Sequence, residues 1–300
     1  MTNNTNFRKY GAVAGNTFGL LVGMALAGAV NAASPHDFDV IVADSQATVY
    51  ALNPRTRERV IIAHQDKLDR PYDVASDRNG NIVVSDTGTL RIVQVNPLTG
   101  EQTVLAEGGD LGVPYGIDVD RRGRVYVANS STIVWVDPGT DRVGKFPKRA
   151  DDLLSVPLDV AVAADGNLYV ADAVAGVVRV DAVTGQQTPI AHGEHLHTPT
   201  GITVDANHTA YVVDGGGRCI VAVNLQKGSQ SVVSMAGFLA TPVGIALAPG
   251  GIMLVSDPDA FDFNGGIMTI EDDGTQKEIA RGCDELVNAR GIAIVPALIR

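Results

Sequence analysis

The feature that most constrains this chain is a segment that recurs at a nearly constant spacing. Its copies begin 42 or 43 residues apart, at Pro71, Pro114, Pro157, Pro199 and Pro242. Each copy contains several short runs of β-branched and aromatic residues that are separated by turn residues. A period of about 40 to 50 residues with several strands per unit is typical of propeller blades. The repeat therefore predicts an all-β propeller.

One unit shows how the strands of a blade follow from the pattern. Pro114 precedes the alternating segment GIDVD, and a proline is tolerated there because the start of a strand does not need its missing N–H. VYVAN and TIVWVD follow as the second and third strands, and in other units the outer strand reads EQTVLA or QQTPIA. Runs of this length are typical of strands and too short for independent helices.

The two ends of the chain complete the ring. Residues 39–63 match the second, third and fourth strands of a blade, whereas Arg290 to Val295 match only a first strand. Joined, the two ends form one more blade and leave no strand edge unpaired. The sequence thus predicts a six-bladed β-propeller with N/C-terminal strand closure, formed as a single domain over residues 33–300.

Residues 1–32 have the features of an export signal. Arg8 and Lys9 precede an apolar segment from Thr17 to Val30, and the residues up to Ala32 match a small-residue cleavage site. The apolar core of about 14 residues is shorter than the roughly 20 that a membrane span needs. We expect cleavage and a periplasmic or secreted mature protein; an uncleaved membrane anchor is the alternative.

The mature chain is expected to be acidic. Without Arg8 and Lys9, 21 basic residues stand against 34 acidic ones. This balance disfavours binding to nucleic acid and to anionic membrane surfaces. We therefore expect a monomer whose partner is a small-molecule or protein ligand, with no nucleic acid bound and no membrane contact after removal of the signal.

The repeat resembles a known family. The pattern P-x-G-I-x-V-D-x-x-G-x-x-Y-V-x-D resembles the NHL repeat, and it covers nearly the whole mature chain. More distantly, it is similar to the propellers of the senescence marker protein/gluconolactonase family and of streptogramin lyase. The resemblance implies the fold. It implies several functions, because related propellers act as protein- or RNA-binding platforms, lactonases, lyases and extracellular sensors.

A comparison of the blades with one another separates architecture from function, since a residue present in every blade serves the architecture. One position at the end of the second strand always carries a carboxylate or an amide: Asp44, Asp86, Asn129, Asp172, Asp214 and Asp257. These six side chains are able either to trap a cation or to accept backbone N–H bonds at the adjoining turn. Their presence in every blade favours the turn.

The residues after each starting proline are expected to surround the mouth of the central channel, and these differ between blades. Asp73 and Asp159 replace the glycine of the other blades, and Arg290 lies beside the glycine of the closing blade. The neighbouring candidates for ligand binding are Tyr72, Tyr115 and Thr200. Tyrosine rings and a fixed guanidinium suit a small polar ligand. The alternative is that Arg290 and the two aspartates form an ion-pair network around ordered water.

A histidine-rich loop is a second candidate site. Three of the six histidines lie between His192 and His197, together with Glu194. Imidazole and carboxylate groups are ligands for zinc-like ions and can act as general acids and bases. His195 and His197 are therefore catalytic or metal-binding candidates, and a solvated loop is the alternative.

An acidic loop from Asp257 to Gly266 is a third candidate. Asp257, Asp259 and Asp262 supply the oxygen ligands that Ca²⁺ or another divalent metal prefers. The alternative is an acidic flap whose two phenylalanines pack over the mouth. The sequence also leaves two possibilities open for Cys219 and Cys283, which are either a disulfide permitted by export or two inert thiols.

The enzymes that the chain resembles imply site residues that are only partly present. The gluconolactonase resemblance implies a glutamate, two asparagines and an aspartate around a divalent ion, but the mouth positions carry no glutamate or asparagine. The lyase resemblance implies a tryptophan on the second strand, whereas Trp135 lies on a third strand. We therefore expect a module that binds a ligand or protein at its acidic mouth. The alternative is a metal-assisted hydrolase or lyase that uses Asp73, Asp159, His195, His197 and Arg290.

Overall fold

The fold consists of six four-stranded antiparallel sheets arranged as the blades of a propeller. The computed structural model describes residues 38–140, 142–282, 288–296 and 298. Within these ranges the regular secondary structure consists of β-strands and one four-residue segment, α1 (Ala260–Phe263), in which Phe261 and Asp262 have non-helical φ and ψ angles. The prediction of an all-β, six-bladed propeller is confirmed.

The strands follow the repeat blade by blade. The first blade contains β1 (Phe38–Asp44), β2 (Thr48–Leu52), β3 (Arg59–His64) and the last strand of the chain, β24 (Ala289–Pro296). The second contains β4 (Pro71–Ser76), β5 (Ile82–Asp86), β6 (Arg91–Val95) and β7 (Gln102–Glu107). The third contains β8 (Pro114–Val119), β9 (Val125–Asn129), β10 (Thr132–Asp137) and β11 (Arg142–Lys145).

The remaining three blades have the same order. The fourth contains β12 (Pro157–Val162), β13 (Leu168–Asp172), β14 (Gly176–Val180) and β15 (Gln187–Ala191). The fifth contains β16 (Pro199–Val204), β17 (Thr209–Asp214), β18 (Cys219–Asn224) and β19 (Gln230–Met235). The sixth contains β20 (Gly244–Leu247), β21 (Met253–Asp257), β22 (Gly266–Ile270) and β23 (Gln276–Arg281).

The two ends of the chain close the ring as predicted. Strand β24 pairs antiparallel with β1, so that Val40 lies opposite Ile294 and Val42 lies opposite Ile292. The C-terminal strand thereby becomes the innermost strand of the first blade. An open ring would leave the edge of β1 free to pair with another chain, and this closure removes that edge.

The hydrophobic core lies between neighbouring blades. Ile82 and Val84 of β5 pack against the first blade, whereas Val83, between them, packs against Ile117 and Val125 of the third blade. This division follows from the alternation of side chains along a strand. Each second strand is therefore buried on both faces, which explains its almost continuous apolar sequence.

The ring of Asp and Asn residues has the architectural role predicted for it. In the fourth blade, one oxygen of Asp172 accepts the backbone N–H groups of Val174 and Ala175 at 2.9 and 2.8 Å. The other oxygen accepts those of Ser155 and Val156 at 2.7 and 2.9 Å, in the segment entering the blade. The five equivalent side chains also accept backbone N–H groups of their turns or entering segments. Each blade is thus fastened to the connection that precedes it.

Several predictions fall on residues outside the described ranges. The export signal at 1–32 and its boundary with the domain lie there, as does Cys283. Cys219 is buried, and burial raises the pKa of its thiol to about 11. No helix in the described ranges is both long and apolar enough to cross a membrane.

Candidate functional site

The blade topology defines two ends of the central channel. The first strand of each blade is innermost. The loops between second and third strands and the connections between blades lie at one end, called the top face here. The turns between first and second strands lie at the other end, called the bottom face. This arrangement follows from the antiparallel order of the four strands in every sheet.

The channel contains a cavity of about 230 Å³. Its wall is formed by the first strands, and three carboxylates line it: Asp73, Asp118 and Asp159. We call these three residues the channel aspartates. The sequence predicted that Asp73 and Asp159 point into the channel, and they do. Asp118 was not predicted.

Each channel aspartate connects its own blade to the next one. Asp73 accepts the backbone N–H of Val74 at 2.8 Å with one oxygen and that of Ile117, in the third blade, at 2.8 Å with the other. Asp159 likewise accepts from Val160 at 2.7 Å and from Ile202, in the fifth blade, at 2.8 Å.

Asp118 makes the same connection from the third blade to the fourth. It accepts the N–H of Val119 at 2.7 Å and that of Val162 at 2.7 Å. A carboxylate that accepts two N–H groups satisfies donors that would otherwise be buried without a partner. The channel aspartates therefore hold neighbouring first strands together, from the second blade to the fifth.

Asp73 and Asp159 each follow a blade that carries glycine at the same position, and this order has a steric cause. The side chain of Asp73 lies against Gly291 of the preceding blade, and that of Asp159 lies against Gly116. A Cβ atom on either glycine would overlap with the carboxylate beside it. An aspartate at this level of the channel therefore requires a glycine in the blade before it.

Burial dominates the electrostatics of the channel. It raises the pKa of Asp73 to about 7 and that of Asp118 to about 6, although the bonded N–H groups oppose the rise. Burial and then the charge of Asp73 raise the pKa of Asp159 well above its usual value. Two like charges in one cavity disfavour ionisation of both groups. The channel therefore holds protons on its carboxyls at pH values where exposed aspartates have lost them.

The ion-pair network between Arg290 and the aspartates, which the sequence left open as an alternative, is not formed among the described residues. No described carboxylate forms an ion pair with the Arg290 guanidinium, and the channel aspartates bind backbone N–H groups instead. Arg290 acts at the top of the channel, near Asp44 and Tyr72. Burial raises the pKa of both groups, and the positive charge of Arg290 opposes the rise in each.

The other mouth residues surround the same opening. The rings of Tyr72 and Tyr115 meet edge to face, with centroids 5.3 Å apart at an angle of 73°. This is a favourable geometry for an aromatic pair. The Thr200 hydroxyl donates to the Pro242 carbonyl at 2.9 Å, so it bridges the fifth and sixth blades. The mouth thus combines two tyrosine rings with a guanidinium that has no ionic partner among the described residues.

The structure places the two candidate histidines on the top rim of the fifth blade, away from the channel wall. Nε2 of His195 lies 3.8 Å from Oε1 of Glu194, and both side chains are substantially exposed. Nδ1 of His197 lies 3.9 Å from Oδ1 of the buried Asp214. Neither histidine lines the channel cavity. The structure therefore does not bring these histidines together with Asp73 and Asp159 in one cavity.

The three aspartates of the acidic loop differ in burial and in the groups that they bind. Asp257 is buried and accepts backbone N–H groups from Ala240 and Thr241, and Asp259 accepts the Thr241 hydroxyl at 2.5 Å. Asp262 is exposed on α1. In the described ranges no group of three or more His, Cys, Asp or Glu side chains is arranged to hold a metal ion. Calcium binding at this loop stays a prediction.

Asp118 carries a sequence signal that the mouth comparison did not use. It is the fourth residue after the starting proline, where the equivalent residues are Ala75, Ala161, Thr203, Ala246 and Ala293. A carboxylate in one blade only, two residues along from a channel-facing position, is expected to face the channel as well. A comparison of the blades at the fourth residue after the starting proline would have identified Asp118.

Comparisons with known proteins support the fold and leave the activity open. No protein-family model matches the sequence, and no curated protein matches it. A chain in the crystal structure of a nidogen/laminin complex is similar, with a TM-score of 0.73 and 17% identity, over 86% of this chain and 98% of that one. Virginiamycin B lyase from Staphylococcus aureus is similar, with a TM-score of 0.63 and 12% identity, over 86% and 89%. At these identities the likeness shows the fold alone, and this chain is a six-bladed β-propeller.

Proposed function

We propose that this protein is an exported binding module that holds a protein partner on its top face, around the mouth of the channel. The observation that carries the proposal is the distribution of exposed apolar side chains. Of the ten large apolar side chains exposed among the described residues, seven lie at the top face. These are Leu90, Leu153, Val156, Val174, Met235, Phe238 and Phe263. Apolar surface concentrated on one face is typical of protein interaction sites.

The sixth blade presents the most exposed aromatic residue of the part of the chain that the structure describes. Phe263 is 83% exposed, whereas Phe261, two residues earlier, is 5% exposed. Phe261 packs against the ring of Phe238, with centroids 4.8 Å apart, and against the Arg281 guanidinium at 5.0 Å. The buried ring thus anchors the turn that carries Phe263 into solvent.

The backbone of this turn is strained. Phe261, Asp262 and Phe263 have φ values of 55°, 62° and 63°, in the left-handed region. This conformation costs roughly 1–2 kcal/mol per residue for L-amino acids, and strain of this kind clusters at functional sites. An exposed phenylalanine held by a strained turn fits the role of an interface anchor.

The mouth supplies polar groups for specificity. Arg290 has no ionic partner among the described residues, and the Tyr72 and Tyr115 rings lie beside it at the entrance. Arginine and tyrosine are enriched where interfaces have their strongest contacts. A partner that brings a carboxylate to Arg290 and apolar side chains to the surrounding loops matches this surface.

The similarity to a chain from a nidogen/laminin complex supports the use of this fold for protein binding, and nothing finer. The alternative is a metal-assisted hydrolase or lyase. Three channel carboxylates with raised pKa values favour this alternative, because such groups are typical of acid–base sites. Against it, both oxygens of each channel aspartate already accept backbone N–H groups.

The experiment compares top-face and bottom-face variants in partner capture. Purified protein carrying a photo-crosslinker is incubated with the envelope and secreted proteins of its source, and captured partners are purified and titrated. Phe263→Ser and Arg290→Gln are expected to weaken binding at least about tenfold. The matched control is Leu98→Ser, which changes a 59% exposed apolar side chain in the turn between β6 and β7, on the bottom face.

Unchanged affinity in Phe263→Ser and Arg290→Gln, or loss of binding in Leu98→Ser, would contradict the top-face site. Metal analysis and turnover assays with lactones and esters test the enzyme alternative. One tightly bound divalent ion per chain together with turnover, both lost in Asp73→Ala, would support the enzyme and replace the binding proposal.

A further inference from the structure

A second cavity lies on the bottom face, at the opposite end of the channel from the proposed partner site. Its volume is about 640 Å³, within the range of about 300–1,000 Å³ that is usual for small-molecule sites. The walls come from the turns between first and second strands of the third, fourth and fifth blades, and from Ala182 and Val183 of the fourth blade. We call it the bottom pocket.

The third blade contributes residues to this pocket that the other blades lack. Its turn carries Arg121, Arg122 and Arg124, whereas the residues equivalent to Arg124 in the second and fourth blades are Asn81 and Asn167. The architecture does not require Arg122 and Arg124, because the other blades form the same turn without arginine at these positions; Arg121 has one arginine equivalent, Arg78 of the second blade.

The guanidinium of Arg124 is held in place. It lies 4.8 Å from the centroid of the Trp135 ring and 3.7 Å from an oxygen of Asp137. Trp135 itself occurs in the third blade only. An arginine stacked on an aromatic ring is fixed in advance for recognition of an anion.

Arg121 and Arg122 are exposed beside it. Their guanidinium groups form no hydrogen bond or ion pair with any residue that the structure describes. The backbone of the turn is nevertheless fixed, since Asp120 accepts the N–H groups of Arg122 and Arg124 at 2.8 and 2.9 Å. The third-blade side of the pocket therefore carries three arginines against the two carboxylates of Asp120 and Asp137, with unused donors on Arg121 and Arg122.

The other side of the pocket is anionic. Asp165 and Asp205 project from the turns of the fourth and fifth blades. One oxygen of Asp205 accepts the backbone N–H groups of Asn207 and Thr209, both at 2.8 Å, which fixes the carboxylate. The wall between the two charged sides is apolar and includes Val162, Ala163 and Val204.

We propose that the bottom pocket binds a zwitterionic ligand of the short-peptide class. The arginines of the third blade take its carboxylate, Asp165 and Asp205 take its ammonium group, and the valine and alanine side chains contact its apolar body. The carboxylates lining the pocket would repel a purely anionic ligand, and the three arginines would repel a purely cationic one. A ligand with both charges satisfies both sides.

The experiment uses Trp135, the one tryptophan of the chain, as a fluorescent reporter beside Arg124. The intact protein is titrated with the tripeptide Ala-Val-Ala, with its C-terminal amide and with its N-acetylated form. The free tripeptide is expected to change the fluorescence saturably, and each blocked form to bind about tenfold more weakly. Calorimetric titration gives the same affinities without relying on the reporter.

Variants of the third-blade arginines test whether these residues bind the peptide carboxylate. The double substitution Arg121→Gln with Arg122→Gln is expected to weaken binding of the free tripeptide about tenfold and to leave the amide unchanged. The matched control is Arg78→Gln, at the equivalent exposed turn position of the second blade. Equal affinities for all three peptides, no saturable binding at millimolar peptide, or loss of binding in Arg78→Gln would each overturn the proposal.

Discussion

The substitution Asp118→Asn tests whether the channel aspartates are protonated in the folded protein near neutral pH. Asp118 is the best of the three, because, beyond burial, the charges of Asp73 and Asp118 raise the pKa of Asp159 and that of Asp118 raises the pKa of Asp73, whereas burial is the main cause of the raised pKa of Asp118 itself. Burial raises the pKa of Asp118 from 3.8 to about 6, in spite of its bonds to the N–H groups of Val162 and Val119.

The sign of the effect follows from proton linkage. The folded state holds the Asp118 proton more tightly than the unfolded state, so the stability that this group contributes is fully present below about pH 4. It is lost as the pH rises through about 6. A pKa difference of about 2 corresponds to about 3 kcal/mol, which is an upper bound for this site. For a domain of this size that is a change in Tm of roughly 6–12 °C.

Asparagine cannot ionise, so the variant does not lose stability at this position as the pH rises. Its amide keeps one acceptor and turns an NH₂ toward the second backbone N–H, which costs about 1–3 kcal/mol. We therefore expect Asp118→Asn to be less stable than the wild type at about pH 4, with the difference shrinking or reversing at about pH 7.5.

The assay is thermal unfolding, followed by calorimetry and by Trp135 fluorescence, across this pH range. The matched control is Asp151→Asn, which changes an exposed carboxylate in the loop before β12. The plot of its Tm against pH is expected to run parallel to that of the wild type. If the plot of Tm against pH for Asp118→Asn also runs parallel to that of the wild type, Asp118 does not titrate as a buried group and the reasoning fails.

Three further predictions concern packing and closure. Gly291→Ala should destabilise the fold by about 1–3 kcal/mol by overpacking against Asp73. Asp73→Gly is also expected to be destabilising, because it leaves two backbone N–H groups without their acceptor. In denaturant unfolding the double variant should lose less stability than the sum of the two single losses; additive losses would show that the two residues do not meet. Phe261→Ala should lower the free energy of unfolding by about 3–5 kcal/mol, whereas Phe263→Ser should change it by less than about 0.5 kcal/mol. Equal losses for the two variants in calorimetry would contradict the burial of Phe261 and the exposure of Phe263. Deletion of residues 289–300 should leave β1 as an open edge and cause aggregation in gel filtration; a stable monomeric ring would show that β24 is dispensable.

The number of blades and the closure of the ring were predictable from the sequence for a physical reason. Each strand is specified by local alternation and β-branched composition, and the repeat places the same pattern at a fixed period. The first strand missing from residues 39–63 is supplied by Arg290 to Val295, so pairing of β1 with β24 was the one arrangement that completed a blade. The role of Asp172 and its equivalents followed from their presence in every blade.

The candidate site was predictable only in part. The comparison of blades identified Asp73 and Asp159, but not the groups that they bind. Asp73 binds Ile117, which is 44 residues away in the chain, and no local pattern specifies a contact over that distance. An ion-pair network of Arg290 with the two aspartates was one of the two alternatives that the sequence left open, and the backbone N–H groups of the next blade bind the carboxylates instead.

The sequence by itself therefore determined the all-β class, the blade as the unit, the six-fold ring and its closure, because these follow from periodicity and strand propensity. The tertiary structure decided which side chains share a cavity: Asp118 with Asp73 and Asp159 in the channel, and Arg124 with Asp205 across the bottom pocket. Such groupings depend on how neighbouring blades pack face to face, and packing between segments more than 40 residues apart is set by the whole ring rather than by any stretch of the chain.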